Sequence, residues 1–330
     1  MEYRRLGKTG LKVSALSYGA WTTFKTQADL EKAKELIQAC VDAGVNFFDN
    51  AEVYANGEAE VIMGQAIKDL GLRRSDLVLS TKVFWGGPGP NDRGLSRKHV
   101  IEGTQAALAR LQTRYVDLLF CHRPDPDTPM EYRGTSEWSP GQIEQALGIA
   151  AHLNLQPPVM EQPEYNLFER KKVESDYAAL YDSWPGLGLT VWSPLASGIL
   201  TCKYGGGGTA AAAAAPAGSR LALEEHKAKL ATRAHHIAAA ERLKPIAEEL
   251  GCTPAQLALA WTLTNPRVSS AITGGRVREN MGALAVLPKL TPEVVKRMER
   301  ALADALAAAA EAETAAKSEA EAVAEAEVQK

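Results

Sequence analysis

The chain has 330 residues, of which 45% are hydrophobic and 23% charged, with a formal net charge of -3. These are the proportions of a soluble globular chain, long enough for one large or two ordinary domains. They exclude the cationic excess of a nucleic-acid binder, and no apolar run approaches the roughly 18 residues of a membrane span.

Strand-like and helix-like segments alternate from residue 12 to about residue 290. Lys12–Ala20 reads as a strand, and the residues before Ser14, with Gly7 and Gly10, suit a hairpin. Asp29 is placed to cap a helix whose apolar positions are Leu30, Ala33, Leu36, Ile37, Cys40 and Val41, with Gly44 as the stop. A second strand ends at Asp49, followed by a helix over Ala59–Leu70. A third strand ends at Lys82, and Ser96 opens a helix carrying Ile101, Leu108 and Leu111. A fourth ends at His122. Gly134–Trp138 looks like the end of a fifth, after which Ser139, Pro140 and Gln142 spell a capping box and its helix. Pro158–Gln162 is the sixth strand, with a helix around Arg170–Trp184. Leu189–Pro194 is the seventh, Thr253-Pro254 opens a helix, and Val268–Thr273 is the eighth. Eight strands alternating with helices predict a (β/α)₈ barrel, an α/β fold, with the N-terminal hairpin closing its bottom.

The fourth crossover is too short. Nine residues, Arg123–Glu131, three of them Pro, lie between His122 and the earliest start of the fifth strand. A parallel crossover with its helix needs about 10–12 residues. The fourth barrel helix is therefore expected to be missing or severely shortened, leaving an extended link flanked by exposed apolar surface.

Residues 1–300 read as the barrel domain. Residues 301–330, mainly Ala and Glu with seven acidic and two basic side chains, read as a helical or disordered tail without chemistry. Cys40, Cys121, Cys202 and Cys252 are too scattered for a zinc site, so no metal is expected. Free thiols and the lack of an apolar leader point to the cytosol, and a peripheral seat on a membrane protein is compatible with the sequence.

Asp49, Tyr54, Lys82 and His122 all fall at or just beyond strand ends. In a parallel barrel those ends open into one pocket, where such a group can protonate a carbonyl oxygen. Each residue alone has a bland alternative: Tyr54 as packing, Lys82 as a solvated strand end, His122 as a partner of Asp125, and Trp192 as barrel core.

The strings Phe48-Asp49-Asn50-Ala51-Glu52-Val53-Tyr54, Ser80-Thr81-Lys82, Gly134-Thr135-Ser136, Glu161-Gln162 and Trp192-Ser193-Pro194-Leu195 resemble the aldo-keto reductase superfamily. Phe84-Trp85-Gly86-Gly87, Arg93–His99 and Val286-Leu287-Pro288-Lys289 resemble, within it, the branch of voltage-gated potassium channel β-subunits, especially plant-type members. The resemblance implies an NADPH-dependent reductase of small-molecule aldehydes or ketones. Tyr54 would be the general acid, Lys82 would lower its pKa, Asp49 would pair with Lys82, and His122 would orient the carbonyl. Animal β-subunits often carry Asn at that last position, so His122 favours a working reductase.

The resemblance further implies cofactor contacts. Trp192 would stack on the nicotinamide, and Ser136 and Gln162 would hold its carboxamide. Trp21 and Gln27 would lie near cofactor or substrate, and Trp85 would line the substrate pocket. Ser193, Pro194, Leu195, Ser197 and Lys203 would follow the pyrophosphate. Arg220 and the segment with Gly274, Arg276, Glu279 and Asn280 would hold the adenosine and its phosphate, on a loop shorter than the family's. No Gly-x-Gly-x-x-Gly turn is present, in keeping with a cofactor held without a Rossmann fold. The alternative function is a regulatory β-subunit that docks, as a possible homo-oligomeric tetramer, on the cytosolic domain of a potassium channel and uses NADPH as a structural or sensing ligand. A third reading is an inactive splice or gene-model product.

Overall fold

A computed structural model describes residues 1–21, 29–128, 135–183, 185–205, 215–216, 219–222 and 232–308. The chain divides into two compact units, Met1–Pro194 with Leu259–Leu284, and Leu195–Ala258 with Ala285–Lys330.

The first unit is built on parallel strands. A hairpin of β1 (Tyr3–Arg5) and β2 (Lys12–Ser14) precedes β3 (Leu16–Gly19), β4 (Phe47–Asp49), β5 (Val78–Val83), β6 (Leu118–Cys121), β7 (Met160–Glu161), β8 (Gly188–Val191) and β9 (Val268–Thr273). The seven strands after the hairpin form one sheet in the order β6-β5-β4-β3-β9-β8-β7. Among the described residues, the ring closes through Thr135, which bridges in parallel to Cys121 of β6 and to Glu161 of β7. The predicted fifth strand, Gly134–Trp138, is thus reduced to a bridge at Thr135, with Gly134 outside the described residues. The fold is the predicted α/β barrel.

Strand alternation decides what faces inward. Phe47, Val78, Leu118, Phe120 and Met160 form the barrel interior with Leu6 and Val13 of the hairpin. Phe48 and Leu79 point outward, where they pack with Ala33, Ile37 and Cys40 of α1 (Leu30–Asp42) and Ala59, Met63 and Ala66 of α2 (Glu58–Asp69). Because Phe47 and Val78 point in, Asp49, Ser80 and Lys82 on the same strands also point in, nearer the C-terminal end. The hairpin seals the other end at close range. A Cβ on Gly7, whose φ is +52°, would lie 2.6 Å from the carbonyl oxygen of Gly186.

Helix starts follow their caps. Asp29 accepts from Lys32 N at 2.9 Å, Ser96 caps α3 (Arg97–Arg110), and the capping box of Ser139 and Gln142 starts α4 (Pro140–His152). Several predicted elements differ. Lys12–Ala20 splits at Ala15, where the chain leaves the hairpin for the barrel. The expected helix around Arg170–Trp184 is a π-helical turn, Lys172–Asp176, followed by α5 (Ala178–Asp182), with Trp184 outside the described residues. In the fourth crossover residues 123–128 contain no helix, and residues 129–134 lie outside the described residues.

In the second unit, the turn Ala196–Thr201 packs on the helix Ala234–Glu241. The thiol of Cys202 donates to Ala240 O at 3.2 Å. Among the described residues, no helix is long and apolar enough to cross a membrane.

Candidate active site

Lys82 lies at the centre of the site. Its ammonium donates to Asp49 Oδ2 at 2.6 Å and to the Asn50 carbonyl at 2.8 Å, and stands 3.0 Å from the Tyr54 hydroxyl. Lys82 and Asp49 are both buried. The second oxygen of Asp49 accepts from Ser80 Oγ at 2.8 Å and from Gln162 Nε2 at 3.1 Å. A carboxylate with so many donors, beside a cation it cannot leave, is a fixed post rather than a mobile base.

Burial works against the charge of Lys82, but Asp49 and Tyr54 more than offset it and raise its pKa above the ordinary lysine value. Lys82 remains an ammonium. For Tyr54 the net direction differs from the expectation. Lys82 does pull its pKa down, yet burial pushes harder and the phenol ends above its ordinary value. The resting site therefore holds a protonated phenol at neutral pH, kept within reach of deprotonation by the adjacent cation.

Local backbone brings Tyr54 into position. It opens the turn Tyr54–Gly57, in which Ala55, Asn56 and Gly57 all have positive φ, at 49°, 56° and 89°. Two non-glycine residues in the left-handed region are costly, and such strain concentrates at functional sites.

His122 follows β6, tied to the barrel by its backbone N–H to Val83 O at 3.1 Å. Its ring stands edge-on to Tyr54 with centroids 5.9 Å apart, and to Trp85 at 4.9 Å. Burial, with Lys82 and Arg123 adding repulsion, lowers its pKa to about 2, so the imidazole is neutral. Its Nδ1 is buried without a hydrogen-bond partner among the described residues. Trp21, 39% exposed, places its ring 6.4 Å from that of Tyr54. Asp49, Tyr54, Lys82, His122, Trp85 and Trp21 thus share one pocket. Gln27 falls outside the described residues.

On the far side of the ring, Gln162 spends its amide hydrogens on Asp49 and on Thr190 Oγ1 at 3.3 Å, and Ser136 Oγ donates to Gln162 O at 2.9 Å. What both side chains still offer is acceptor capacity. Trp192 donates its indole N–H to Glu137 Oε1 at 3.0 Å, and Ser193 accepts from Asn166 Nδ2 at 3.1 Å. Gly274 and Asn280 are joined by a hydrogen bond of 3.5 Å, and Arg276 pairs with Glu279 at 3.3 Å.

Within the second unit, Ala196 and Ser197 have positive φ, 49° and 58°, followed by Gly198 at 88°. Lys203 crosses the Tyr204 ring at 5.2 Å and approaches Gly198, where a Cβ would meet its Nζ at 2.9 Å. Left-handed turns of this kind aim backbone N–H groups into a concavity suited to anions. Leu195 precedes this turn, and Arg220 lies on the short turn Arg220–Ala222.

Glu137 was not legible in the sequence. It sits at φ 65° two residues after the Thr135 bridge. Its carboxylate accepts from Glu164 N at 2.6 Å and from Trp192, and pairs with Lys172. The side chain joins segments that a longer fifth strand would connect through its backbone. Glu161, fully buried, was read only as part of a motif. Burial, the largest of its causes, raises its pKa to about 8, and its Oε2 has no hydrogen-bond partner among the described residues.

A closed parallel barrel with a tyrosine, lysine, aspartate and histidine gathered at its C-terminal mouth defines a class of barrel oxidoreductases. The model of the Aldo/keto reductase family matches residues 15–133 and 130–303, and the chain belongs to that family. The two matches overlap at residues 130–133. The chain is 55% identical over 325 residues to an Arabidopsis thaliana protein described as "Probable voltage-gated potassium channel subunit beta", covering 92% of this chain and 97% of that one. It is 56% identical over 322 residues to an Oryza sativa subsp. japonica protein of the same description, covering 91% and 96%.

Proposed function

We propose that the protein is an NADPH-dependent reductase of aldehydes or ketones in which Tyr54 donates the proton. The observation that carries this reading is the Tyr54 hydroxyl 3.0 Å from Lys82 Nζ, itself held 2.6 Å from Asp49. The bound dinucleotide supplies a hydride to the carbonyl carbon. As negative charge develops on the carbonyl oxygen, Tyr54 gives up its phenolic proton to it. Lys82 stabilises the phenolate left behind, and Asp49 holds Lys82 in place. His122, neutral at working pH, orients the carbonyl oxygen through an imidazole N–H and does not serve as the acid.

The residues present suit that cofactor. Ser136 and Gln162 offer acceptors to a carboxamide NH₂, and Trp192, braced by Glu137, offers a ring face to the nicotinamide. Within the second unit, the left-handed turn at Ala196–Gly198 with Lys203 is suited to a phosphate. The phosphate that distinguishes NADPH from NADH is assigned to a cation, Arg220 or Arg276. Cofactor titration by fluorescence quenching tests this assignment, and equal affinity for NADPH and NADH would refute it. Turnover of a panel of aldehydes and ketones tests the reaction, and a protein that binds NADPH but reduces none of them would overturn it.

The descriptions of the Arabidopsis and rice relatives motivate a second reading: a regulatory β-subunit of a voltage-gated potassium channel that binds NADPH as a structural or sensing ligand. The two readings are compatible. Pull-down of a channel cytosolic domain together with turnover measurements separates them.

A further inference from the structure

Glu52 lies in the loop between Asp49 and Tyr54, yet no step above uses it. It is buried, as is His99 in the first turn of α3. Its backbone N–H donates to Lys82 O at 3.2 Å. Its Oε1 accepts from the backbone N–H of Phe84 at 2.6 Å, and its Oε2 lies 3.3 Å from His99 Nε2. One residue therefore ties the Tyr54 loop to the loop carrying Trp85, and a second one, His99, ties both to α3.

The Trp85 loop is folded tightly over this pair. Trp85 bridges to Arg93, Gly94 N donates to Phe84 O at 2.9 Å, and Gly86 N donates to Asp92 O at 2.9 Å. A Cβ on Gly86 would stand 3.0 Å from His99 Nε2 and 3.3 Å from Glu52 Oε2, and one on Gly103 would stand 3.0 Å from Glu52 Oε2. Beyond the loop, the Trp85 ring packs edge-on to Phe84 at 4.9 Å and to His122 at the same distance.

A buried charge pair is a weak source of stability, since desolvation cancels much of its attraction, but it fixes geometry because neither partner tolerates separation. We propose that Glu52 and His99 form a clamp that positions Trp85 against His122 and Tyr54, and so set the width of the substrate mouth. They act through Trp85 and are positioning residues. The groups facing His99 are Glu52 across the pair, Asp92 from the loop and the Arg93 backbone; the hydrogen bond it donates to Glu52 is the main cause that raises its pKa. The pair favours the imidazolium, so the clamp slackens as pH rises past the His99 midpoint.

The inference rests on the reductase reading for its consequence, but the clamp itself is measurable without turnover. Full-length protein labelled with 5-fluorotryptophan gives a Trp85 resonance, assigned by its loss in Trp85→Phe. That resonance should shift with the same midpoint as the His99 ring, above the ordinary histidine value. In His99→Gln and Glu52→Gln the pH-linked shift should vanish. With an aldehyde substrate, both variants should raise KM about tenfold while kcat and NADPH affinity stay within about twofold, and the alkaline rise of KM should disappear. A Trp85 resonance indifferent to pH and to both substitutions would overturn the clamp. So would variants that lose thermal stability with KM and its pH profile unchanged. If the resonance follows His99 but no carbonyl is reduced, the clamp stands and the reductase reading fails.

Discussion

The Tyr54 hydroxyl lies 3.0 Å from the ammonium of Lys82, although Tyr54 opens a turn beyond β4, Lys82 belongs to β5 and the two are 28 positions apart. Burial alone would leave the phenol too weak an acid to be useful, and the buried cation alone would be unstable. Placed together, Lys82 pulls against part of that shift in Tyr54 without reversing it, and Asp49 and Tyr54 keep the lysine charged.

Tyr54→Phe is expected to lower carbonyl turnover by about 10²–10⁴-fold, the usual contribution of a positioned general acid. NADPH affinity should stay within a few-fold, because the hydroxyl is bonded to Lys82 and serves as proton donor. Steady-state kinetics beside fluorescence titration check both halves.

Lys82→Met should do more than abolish turnover. It leaves the Asp49 carboxylate buried without its counter-charge, a loss of about 3–5 kcal/mol for comparable pairs. The double change Asp49→Asn with Lys82→Met should recover much of that stability but none of the activity. Chemical denaturation of the single and double variants decides the matter.

The two oppositely perturbed buried groups give opposite pH slopes. His122 titrates near 6.5 when unfolded and at about 2 when folded. Its contribution is fully present above pH 6.5 and is lost as pH falls towards 2, amounting to about 2 kcal/mol between pH 6.5 and pH 5. Denaturation curves of His122→Asn should show a shallower acid-side slope than the parent by that amount.

Glu161 runs the other way. Its folded pKa of about 8 lies above the unfolded 4.5, so its contribution is fully present below pH 4.5 and is lost as pH rises through 8. Glu161→Gln keeps the shape, accepts from Trp138 N as the carboxyl does at 3.2 Å, and cannot ionise. The variant should match the parent near pH 5 and exceed it at pH 8 by on the order of 3 kcal/mol. A parent and variant with parallel stability curves would refute the buried neutral carboxyl.

Glu137→Ala removes the acceptor of the Trp192 indole and the tie to Glu164 N. NADPH affinity should fall about tenfold with Tyr54 chemistry intact at saturating cofactor. Lys172→Met, which loses only the ion pair, should have the milder effect.

Much of the site was legible because strand periodicity is a local property. Once Phe47 and Val78 face inward, Asp49, Ser80 and Lys82 must follow, and a barrel aims them at one mouth. The helix caps at Asp29, Ser96 and Ser139 were equally readable, since a cap needs only residues three positions apart. Other features depend on distance in the chain. Nothing near Glu137 shows that it would hold an indole 55 residues later. The pairing of Glu52 with His99 spans 47 residues, and both look like ordinary polar residues on a loop and a helix start.

The sequence by itself determined the alternation of strands and helices, the faces they present and the four residues collected at the barrel mouth, because hydrophobic period and chain order suffice for these. Only the tertiary structure decided that Thr135 bridges β6 to β7, that burial outweighs Lys82 in setting the state of Tyr54, and that Glu137 and Glu52 brace the walls. Closure, desolvation and bracing depend on which distant groups come within a few ångströms, and that follows from how the whole barrel packs.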